Sequence, residues 1–336
     1  MKNLSLALIF GLSLSAPAGA QEIQMLSGGP DERISQVQSA IEKKGAKWVA
    51  GETSLSRMSE AQWDLRLGAS LEAPADAPKI EMMMSEDLPP RIDWRDHGGK
   101  FVTGIRDQKK CGSCWAFAMT GALESNVLIS RHWSGKDMDL SEQVLVSCSW
   151  VGSCKGGRLF PTFIKSKGLP PEADYPYIAA NGDCDAAAPG WKSRAYKIGS
   201  WGLVSGKLET IKAALAQYGP LPTAYLVYED FMHYKSGVYT HVSGKQLGGH
   251  AVLLVGYDDK EQCFIVKNSW GPDWGEGGFF RIAYSEMSTD VKFGLMTVAY
   301  KSPALHKAQL MSSASADSVD ADATLELLEP LLQSRP

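Results

Sequence analysis

The six cysteines of this chain all lie between residues 111 and 263 of 336, and they limit its possible folds more than any other feature of the sequence. Cysteines form lasting disulfides in oxidising compartments. Whether these six can do so depends on whether the chain is exported, and the N-terminus carries the signal for export. Residues 1–20 begin with Lys2, continue with an apolar stretch from Leu4 to Leu14 and end on Ala18-Gly19-Ala20. This order is typical of a cleaved signal peptide, and the stretch is shorter than the about 20 apolar residues of a membrane span. We therefore expect a mature chain that is secreted, to the extracellular space or a bacterial periplasm.

The rest of the chain divides by composition into three parts. Residues 21–87 carry 12 acidic and 7 basic residues and no cysteine, with candidate helices around Ile34 to Ile41 and Glu60 to Leu67. Residues 88–302 contain every cysteine and have a net charge of +3, whereas the Ala-, Ser- and Asp-rich tail, 303–336, has −3 and is expected to be flexible. The whole chain has a net charge of −4 and no basic run, so we expect no nucleic-acid partner, and no membrane partner once the signal peptide is removed.

The run CGSCWAF, residues 111–117, places Cys114 at the start of a predicted helix. Apolar residues recur at spacings of three and four from Trp115 to Val127, and the Gly-Ser pair before Cys114 suits the entering turn. The positive end of a helix dipole favours a thiolate at this position. Cys114 is therefore the more readily activated member of the C-x-x-C pair that it forms with Cys111.

A C-x-x-C pair has other meanings, which the motif alone leaves open. It could be a thioredoxin-like redox pair, although no βαβ pattern surrounds it here. It could also be half of a zinc site, for which Cys148 and Cys154 would have to supply the remaining ligands at a loose spacing.

Two β-rich apolar runs farther along flank the polar turn from Asp258 to Glu261, and they predict an antiparallel hairpin. If Tyr257 faces Gln262, His250 faces the residue after Asn268. The hairpin therefore places an imidazole and a carboxamide side by side at its open end.

These groups together supply the parts of a nucleophilic site. Cys114 is the candidate nucleophile, His250 the base that takes its proton, and Asn268 the group that fixes the imidazole tautomer and ring angle. The side-chain amide of Gln108 and the backbone N–H of Cys114 are candidate donors to the oxyanion of a tetrahedral intermediate. Trp270, two residues after Asn268, is expected to cover the His–Asn hydrogen bond and to line the substrate cleft.

The order of these residues resembles the papain family of cysteine peptidases. Cys-Gly-Ser-Cys-Trp, followed by His after 136 residues and Asn after 154, matches the signature of papain and the cathepsins. Further landmarks of the family follow in order over 88–302: Leu88-Pro89, Asp93-Trp94-Arg95, Leu140-Ser141-Glu142-Gln143, Gly156-Gly157, Tyr175-Pro176-Tyr177, Trp270-Gly271 and Trp274-Gly275.

The resemblance implies an α+β fold of two lobes with the active site in the cleft between them. A helical left lobe would surround the Cys114 helix, and an antiparallel β-barrel-like right lobe would carry His250 and Asn268. Residues 21–87 would be a propeptide that inhibits the peptidase domain, 88–302. The family also implies the disulfides Cys111–Cys154 and Cys148–Cys184, which leaves Cys263 unpaired, and it implies no metal and no cofactor.

The same resemblance suggests how substrate binds. Gly156 and Gly157 would bond the substrate main chain, and the pocket for the residue second before the cut (P2) would be uncharged, favouring a hydrophobic side chain. The residues expected to line this pocket are Leu159, Ala224, Gly248 and Val298. The short presegment resembles a cathepsin B propeptide, yet the stretch from Cys148 to Gly157 is too short for the occluding loop of that enzyme. We therefore expect an endopeptidase.

The sequence thus predicts an exported, monomeric cysteine endopeptidase made as a zymogen and acting on proteins and peptides. The alternative is a catalytically silent, disulfide-stapled binding module, because a fold does not guarantee an activity. Past the signal peptide no asparagine is followed two residues later by Ser or Thr, so sugar-directed delivery to a lysosome-like compartment is less expected than secretion.

Overall fold

The computed structural model describes residues 25–82 and 87–302. The predicted signal peptide, 1–20, and the predicted tail, 303–336, lie outside the described residues. The helices are α1 Pro30–Lys44, α2 Glu60–Asp64, α3 Cys114–Ser130, α4 Glu142–Cys148, α5 Thr162–Ser166, α6 Trp191–Arg194 and α7 Leu208–Tyr218, with short 3₁₀ turns at Glu172–Asp174, Cys184–Ala186, Glu229–His233 and Tyr284–Met287. The strands are β1 Lys47–Ala50, β2 Arg91–Asp93, β3 Gly152–Ser153, β4 Gly156–Gly157, β5 Ser200–Val204, β6 Leu221–Tyr228, β7 Tyr234–Tyr239, β8 Gln246–Asp258, β9 Cys263–Lys267, β10 Phe279–Ala283 and β11 Met296–Lys301.

One lobe is built around α3, which begins at Cys114 as predicted. Every residue from Cys114 to Ile129 is buried, because most of the side chains are apolar or small and the longer polar ones, such as Glu124, also lie inside the protein. The hydroxyl of Ser141 caps α4 by accepting a hydrogen bond from the backbone N–H of Val144. The small hairpin β3–β4 lies against the ring of Trp115, from which a Cβ on Gly157 would be only 2.5 Å away.

The other lobe is a mixed sheet with the order β1-β7-β10-β9-β8-β6-β11-β5, with β2 added beside β8. Its pairs are antiparallel except for β7 with β10. The expected α+β, two-lobed architecture is confirmed. The sheet is open rather than a closed barrel, because the terminal strands β1 and β5 do not pair with each other in the described part of the chain.

The predicted hairpin is β8–β9, but its turn and register differ from the prediction. Asp258 pairs with Cys263 and Tyr257 with Phe264, so the loop starts one residue later than expected. A bulge between Leu254 and Gly256 then shifts the pairing by one residue. Because the bulge offsets part of the first error, the open end of the hairpin still brings together the two predicted side chains.

Residues 25–82, here called the N-terminal segment, dock on the sheet lobe. Both predicted helices are present, as α1 and α2, and between them β1 adds an edge strand that pairs with β7. The indoles of Trp48 and Trp63 are almost completely buried, and together with Val37 they join the core of the sheet lobe. The N-terminal segment therefore shares a hydrophobic core and a β-sheet with the sheet lobe.

The chain re-enters the sheet at β2, at the far end of β8 from the open end of the hairpin. Arg91 of β2 pairs with Asp258, and the Tyr257 hydroxyl donates a 2.6 Å hydrogen bond to the carbonyl of Pro89. Across the described ranges, no helix combines the length and the apolar character needed to cross a membrane.

Candidate active site

Cys114 lies at the first turn of α3, in the cleft between the lobes, and is completely buried. Burial raises the pKa of its thiol to about 11, although the backbone N–H groups of Ala251, Trp115 and Gly68 act in the opposite direction. The helix position favours a thiolate, as the sequence predicted, but desolvation outweighs it in this form of the protein. The sulfur is therefore protonated here.

His250 and Asn268 meet at the open end of the β8–β9 hairpin. Asn268 Oδ1 lies 2.8 Å from His250 Nε2. Because an amide oxygen can only accept, Nε2 carries the proton in this hydrogen bond. The other nitrogen, Nδ1, is buried and has no hydrogen-bond partner among the described residues. Burial lowers the pKa of His250 to about 4, and the bond to Asn268 only partly counters this effect. The indole of Trp270 stacks on the imidazole at 4.5 Å, where it covers the His–Asn pair from solvent.

The amide of Gln108 is buried beside the start of α3. Its Nε2 donates 2.9 Å hydrogen bonds to the carbonyls of Arg66 and Cys111, while its Oε1 accepts one from the Ser269 hydroxyl. The Arg66 guanidinium also pairs with Asp107 at 2.9 Å. The donor predicted to hold an oxyanion therefore already holds a main-chain carbonyl of the N-terminal segment.

The N-terminal segment crosses the cleft in an extended form. The N–H of Gly157 donates to the Gly68 carbonyl at 2.8 Å, and the N–H of Ser70 donates to the Gly157 carbonyl at 2.9 Å, which makes Ala69 and Gly157 a parallel bridge. On the opposite wall, the N–H of Gly68 donates to the Gly249 carbonyl. A Cβ on Gly68 would lie 2.6 Å from a backbone oxygen, so only glycine passes this point without displacing the backbone.

Three of the four residues predicted for the P2 pocket belong to the same buried cluster as Ala69 of this crossing. Leu159, Ala224 and Val298 are fully buried in one apolar cluster, which also contains Ala69 of the N-terminal segment. Gly248 is partly exposed and faces Leu67, whose Cδ1 would lie 3.6 Å from an added Cβ. All four residues are uncharged, and Leu67 and Ala69 of the N-terminal segment lie among them.

A buried polar network ties the two lobes together behind the site. The Lys267 ammonium donates to Thr103 Oγ1 at 2.9 Å, the Thr103 hydroxyl bonds Glu124 of α3, and Glu124 also accepts from the N–H of Leu140. Because Lys267 immediately precedes Asn268, this network fixes the end of β9 relative to α3. No periodic pattern in the sequence indicates this network.

Sequence reasoning also missed two side chains that hold Gln108 and the turn before Cys114. The Ser269 hydroxyl donates to Gln108 Oε1, and the Tyr177 hydroxyl lies 2.8 Å from the Gln108 carbonyl and 2.6 Å from Ser113 Oγ. In the sequence, Tyr177 is noted only as part of the Tyr-Pro-Tyr run, and Ser269 only as the residue after Asn268. Only the folded chain shows that both orient the predicted oxyanion donor.

The cysteines pair as Cys111–Cys154 and Cys148–Cys184, while Cys114 and Cys263 are free and buried. A redox pair of Cys111 with Cys114 is inconsistent with this pairing, because the Cys111 sulfur is already bonded. The pairing also removes the thiolates that a zinc site would need, and no group of three or more His, Cys, Asp or Glu suited to a metal occurs in residues 25–82 and 87–302.

The two-lobed fold, with a free thiol at a helix start beside Ala251 and a His–Asn pair on the adjoining β-hairpin, is that of a papain-like protein. Residues 88–299 match the model of the papain family of cysteine proteases, and the chain belongs to that family.

Individual relatives agree with this assignment. Human cathepsin L2 is 39% identical over 212 residues, which are 59% of this chain and 61% of that protein, so the match spans about three-fifths of its length. Ananain of Ananas comosus is 32% identical over 277 residues, 79% of this chain and 76% of ananain. Among solved structures, digestive procathepsin L2 from the larval midgut of Tenebrio molitor has a TM-score of 0.70 at 26% identity, covering 80% of this chain and 89% of that one. The recombinant stem bromelain precursor has 0.67 at 28%, covering 82% and 90%.

Proposed function

We propose that this protein is an exported cysteine endopeptidase made as a zymogen, with residues 21–87 as its propeptide, 88–302 as the catalytic unit and 303–336 as a C-terminal extension. The observation that carries the proposal is the position of the Arg66 carbonyl. This carbonyl accepts a hydrogen bond from the Gln108 amide, and the same segment covers Cys114 and the proposed apolar pocket. The two precursor structures that resemble the chain support the zymogen assignment.

The proposed reaction is acyl transfer through Cys114. Because His250 Nε2 faces Asn268, the unpartnered Nδ1 is the nitrogen that can take the thiol proton. The thiolate then attacks the substrate carbonyl, and the oxyanion accepts from Gln108 Nε2 and the Cys114 N–H. The imidazolium gives its proton to the leaving amine, and water hydrolyses the thioester.

The covered form is chemically silent in this scheme. Burial raises the pKa of Cys114 and lowers the pKa of His250, so it favours the neutral thiol and the neutral imidazole over the ion pair. Since burial is the leading cause of both shifts, removal of the propeptide lets water and substrate reach the pair and makes the thiolate–imidazolium state accessible.

The propeptide inhibits without being a substrate, we propose, because it lies in the cleft in the opposite direction. It runs parallel to β4 at the bridge between Ala69 and Gly157, whereas we expect substrates to bond Gly156 and Gly157 antiparallel. Its likeness to cathepsin B propeptides rests on its short length and on the KWVAG run, residues 47–51, which begins with β1.

An uncharged pocket and an unobstructed cleft define the proposed specificity. The Leu159, Ala224 and Val298 side chains are buried and apolar, so we expect Leu, Val or Phe at P2. The β3–β4 hairpin places only Cys154 and Lys155 between its strands, which leaves no insertion to close one end of the cleft. This favours cleavage inside chains over trimming of their ends.

Cleavage of an unfolded protein by the processed enzyme tests this proposal. We expect internal cuts, mapped by mass spectrometry, with a hydrophobic residue at the second position before each cut in most of them. The same mixture treated first with a thiol-alkylating reagent should show no cuts. Products shortened only by dipeptides from one end would contradict the endopeptidase assignment, and unchanged cutting after complete alkylation of Cys114 would contradict the mechanism.

Asn268 should contribute to catalysis by stabilising the charged form of His250. We expect Asn268→Ala to lower kcat about 10- to 100-fold, the range for losing one hydrogen bond to a charged group. Because this bond raises the pKa of His250, its loss should also move the basic limb of the pH–rate profile to lower pH. Steady-state kinetics across pH measure both effects. Asn268→Asp, which keeps an acceptor, is the matched control and should retain more activity; an Ala variant with an unmoved basic limb would contradict this role.

A further inference from the structure

His233 is a buried histidine outside the proposed catalytic site, and the N-terminal segment packs on it. It ends the 3₁₀ turn Glu229–His233 and is completely buried. Its carbonyl accepts a hydrogen bond from the N–H of Gly51, and the carbonyl of the preceding residue, Met232, accepts one from the Thr53 hydroxyl at 2.7 Å. The N-terminal segment is therefore hydrogen-bonded to the main chain at this histidine and at the residue before it.

Two neutral side chains of the propeptide contact the ring of His233. Nδ1 lies 3.0 Å from Ser56 Oγ, and the indole of Trp63 meets the ring edge to face at 6.1 Å. Nε2 is buried and has no hydrogen-bond partner in the described part of the chain. A second proton on this ring would therefore be placed where no acceptor receives it, which is costly in a buried site.

The charges that face His233 do not favour an imidazolium. Arg33 of α1 is the cation that lowers the pKa of the ring; its guanidinium lies 4.9 Å from the Trp63 ring, and its Nε has no hydrogen-bond partner among the described residues. Asp230, on the same 3₁₀ turn, is the one anion that acts on the ring, and it is fully engaged by the Tyr239 hydroxyl, the His241 imidazole and the N–H of Val242. A proton on His233 would set two cations next to each other beneath the propeptide.

We propose that His233 is an acid-sensitive switch, whose protonation weakens the docking of the propeptide and thereby starts activation at low pH. The proposal rests on residues 21–87 being the propeptide. Its specific claim is that this one residue, and not only the general charge of the segment, couples pH to opening of the cleft.

The direction follows from the burial of the ring. Desolvation, helped by Arg33, lowers the pKa of His233 from 6.5 to about 4 in the docked state. Release of the propeptide exposes the ring and returns its pKa toward 6.5. The docked state is therefore unaffected by this group above pH 6.5 and loses up to about tenfold in its equilibrium per pH unit as the pH falls from 6.5 to 4.

Hydrogen–deuterium exchange of the full-length Cys114→Ser chain measures this opening without any peptidase activity. The opening constant of peptides covering 51–67, corrected for intrinsic exchange, is followed from pH 7.5 to 4.5. His233→Leu and His233→Gln remove the titrating ring, and Gln keeps a hydrogen-bonding group for Ser56. Relative to its value at pH 7.5, we expect opening at pH 5 to be about 30-fold greater in the parent than in either variant.

His250 is covered by the same segment and titrates in the same direction, so the readout is the difference between parent and variant. His97→Gln, which changes an exposed histidine beside Trp94, is the matched control and should follow the parent at every pH. Identical pH slopes in the parent and in His233→Gln would overturn the proposal. Because the chain cannot cleave itself, failure here would leave the assignment of Cys114 as nucleophile untouched.

Discussion

Replacing Cys114 by serine should lower the rate of peptide cleavage by about five orders of magnitude, while the chain still folds. A hydroxyl is nearly isosteric with the thiol but is far less acidic, so His250 would no longer form an ion pair with it at the start of the reaction. Loss of a nucleophile costs about 10⁶-fold in kcat in a well-studied serine protease, and binding and the oxyanion donors supply the residual rate. Hydrolysis of a peptide with a hydrophobic P2 residue, after removal of the propeptide by another protease, measures the effect.

Cys263→Ser is the matched control for this change. Cys263 is the other free, buried cysteine, in β9 at the end away from Asn268, so it should keep kcat within a few-fold. If Cys114→Ser retained more than about one per cent of the wild-type rate, the thiol could not be the attacking group. The silent binding module would instead show no cleavage even with Cys114 intact.

Replacing Trp63 by alanine should raise the population of the undocked propeptide by two to three orders of magnitude. The indole is fully buried, donates a hydrogen bond to the Leu55 carbonyl and packs against Arg33 and His233. Truncation of a buried tryptophan typically costs about 3–5 kcal/mol, and each 1.4 kcal/mol is about tenfold in an equilibrium constant. Few other side chains of the segment bury as much apolar surface.

The measurement uses the full chain with Cys114→Ser, to which a trace of processed wild-type enzyme is added. The first-order rate of propeptide cleavage reports the open population when reclosing is faster than cleavage. Leu65→Ala, in the same segment but 48% exposed, should change this rate about threefold or less. Equal rates for the Trp63 and Leu65 variants would show that docking does not depend on the buried indole.

The parts of the fold that could be predicted from sequence are those with a local signal. The helix from Cys114 and the pairing of His250 with Asn268 follow from periodicity and from a polar turn between two apolar runs. The bulge at Gly256 had no such signal: a Cβ there would lie 2.2 Å from the Ile92 carbonyl, so it reflects the close approach of β2, a strand far away in sequence.

The residues that form the site could be predicted from the sequence, but the ionisation of Cys114 could not. A helix start favours a thiolate, but the N-terminal segment desolvates Cys114. The residues near position 114 do not indicate that this distant segment covers them. Strand β1 was missed for a similar reason. Its four residues alternate between exposed and buried, a pattern too short to identify until β7 offers an edge to pair with.

The place where the chain re-enters the sheet at β2 has a consequence for the kinetics of the proposed activation. Along β8, eight residues separate His250 from Asp258, which pairs with Arg91, and this is a rise of roughly 26 Å. Leu88, next to Pro89, therefore lies near the end of β8 opposite to His250, while residues 68–70 cross the cleft parallel to β4. If the propeptide is removed at the bond before Leu88, as we propose, the first cut is expected to come from a different molecule, and activation should be second order in protein and self-accelerating. A dilute solution would stay dormant for long periods under conditions in which a concentrated one converts rapidly.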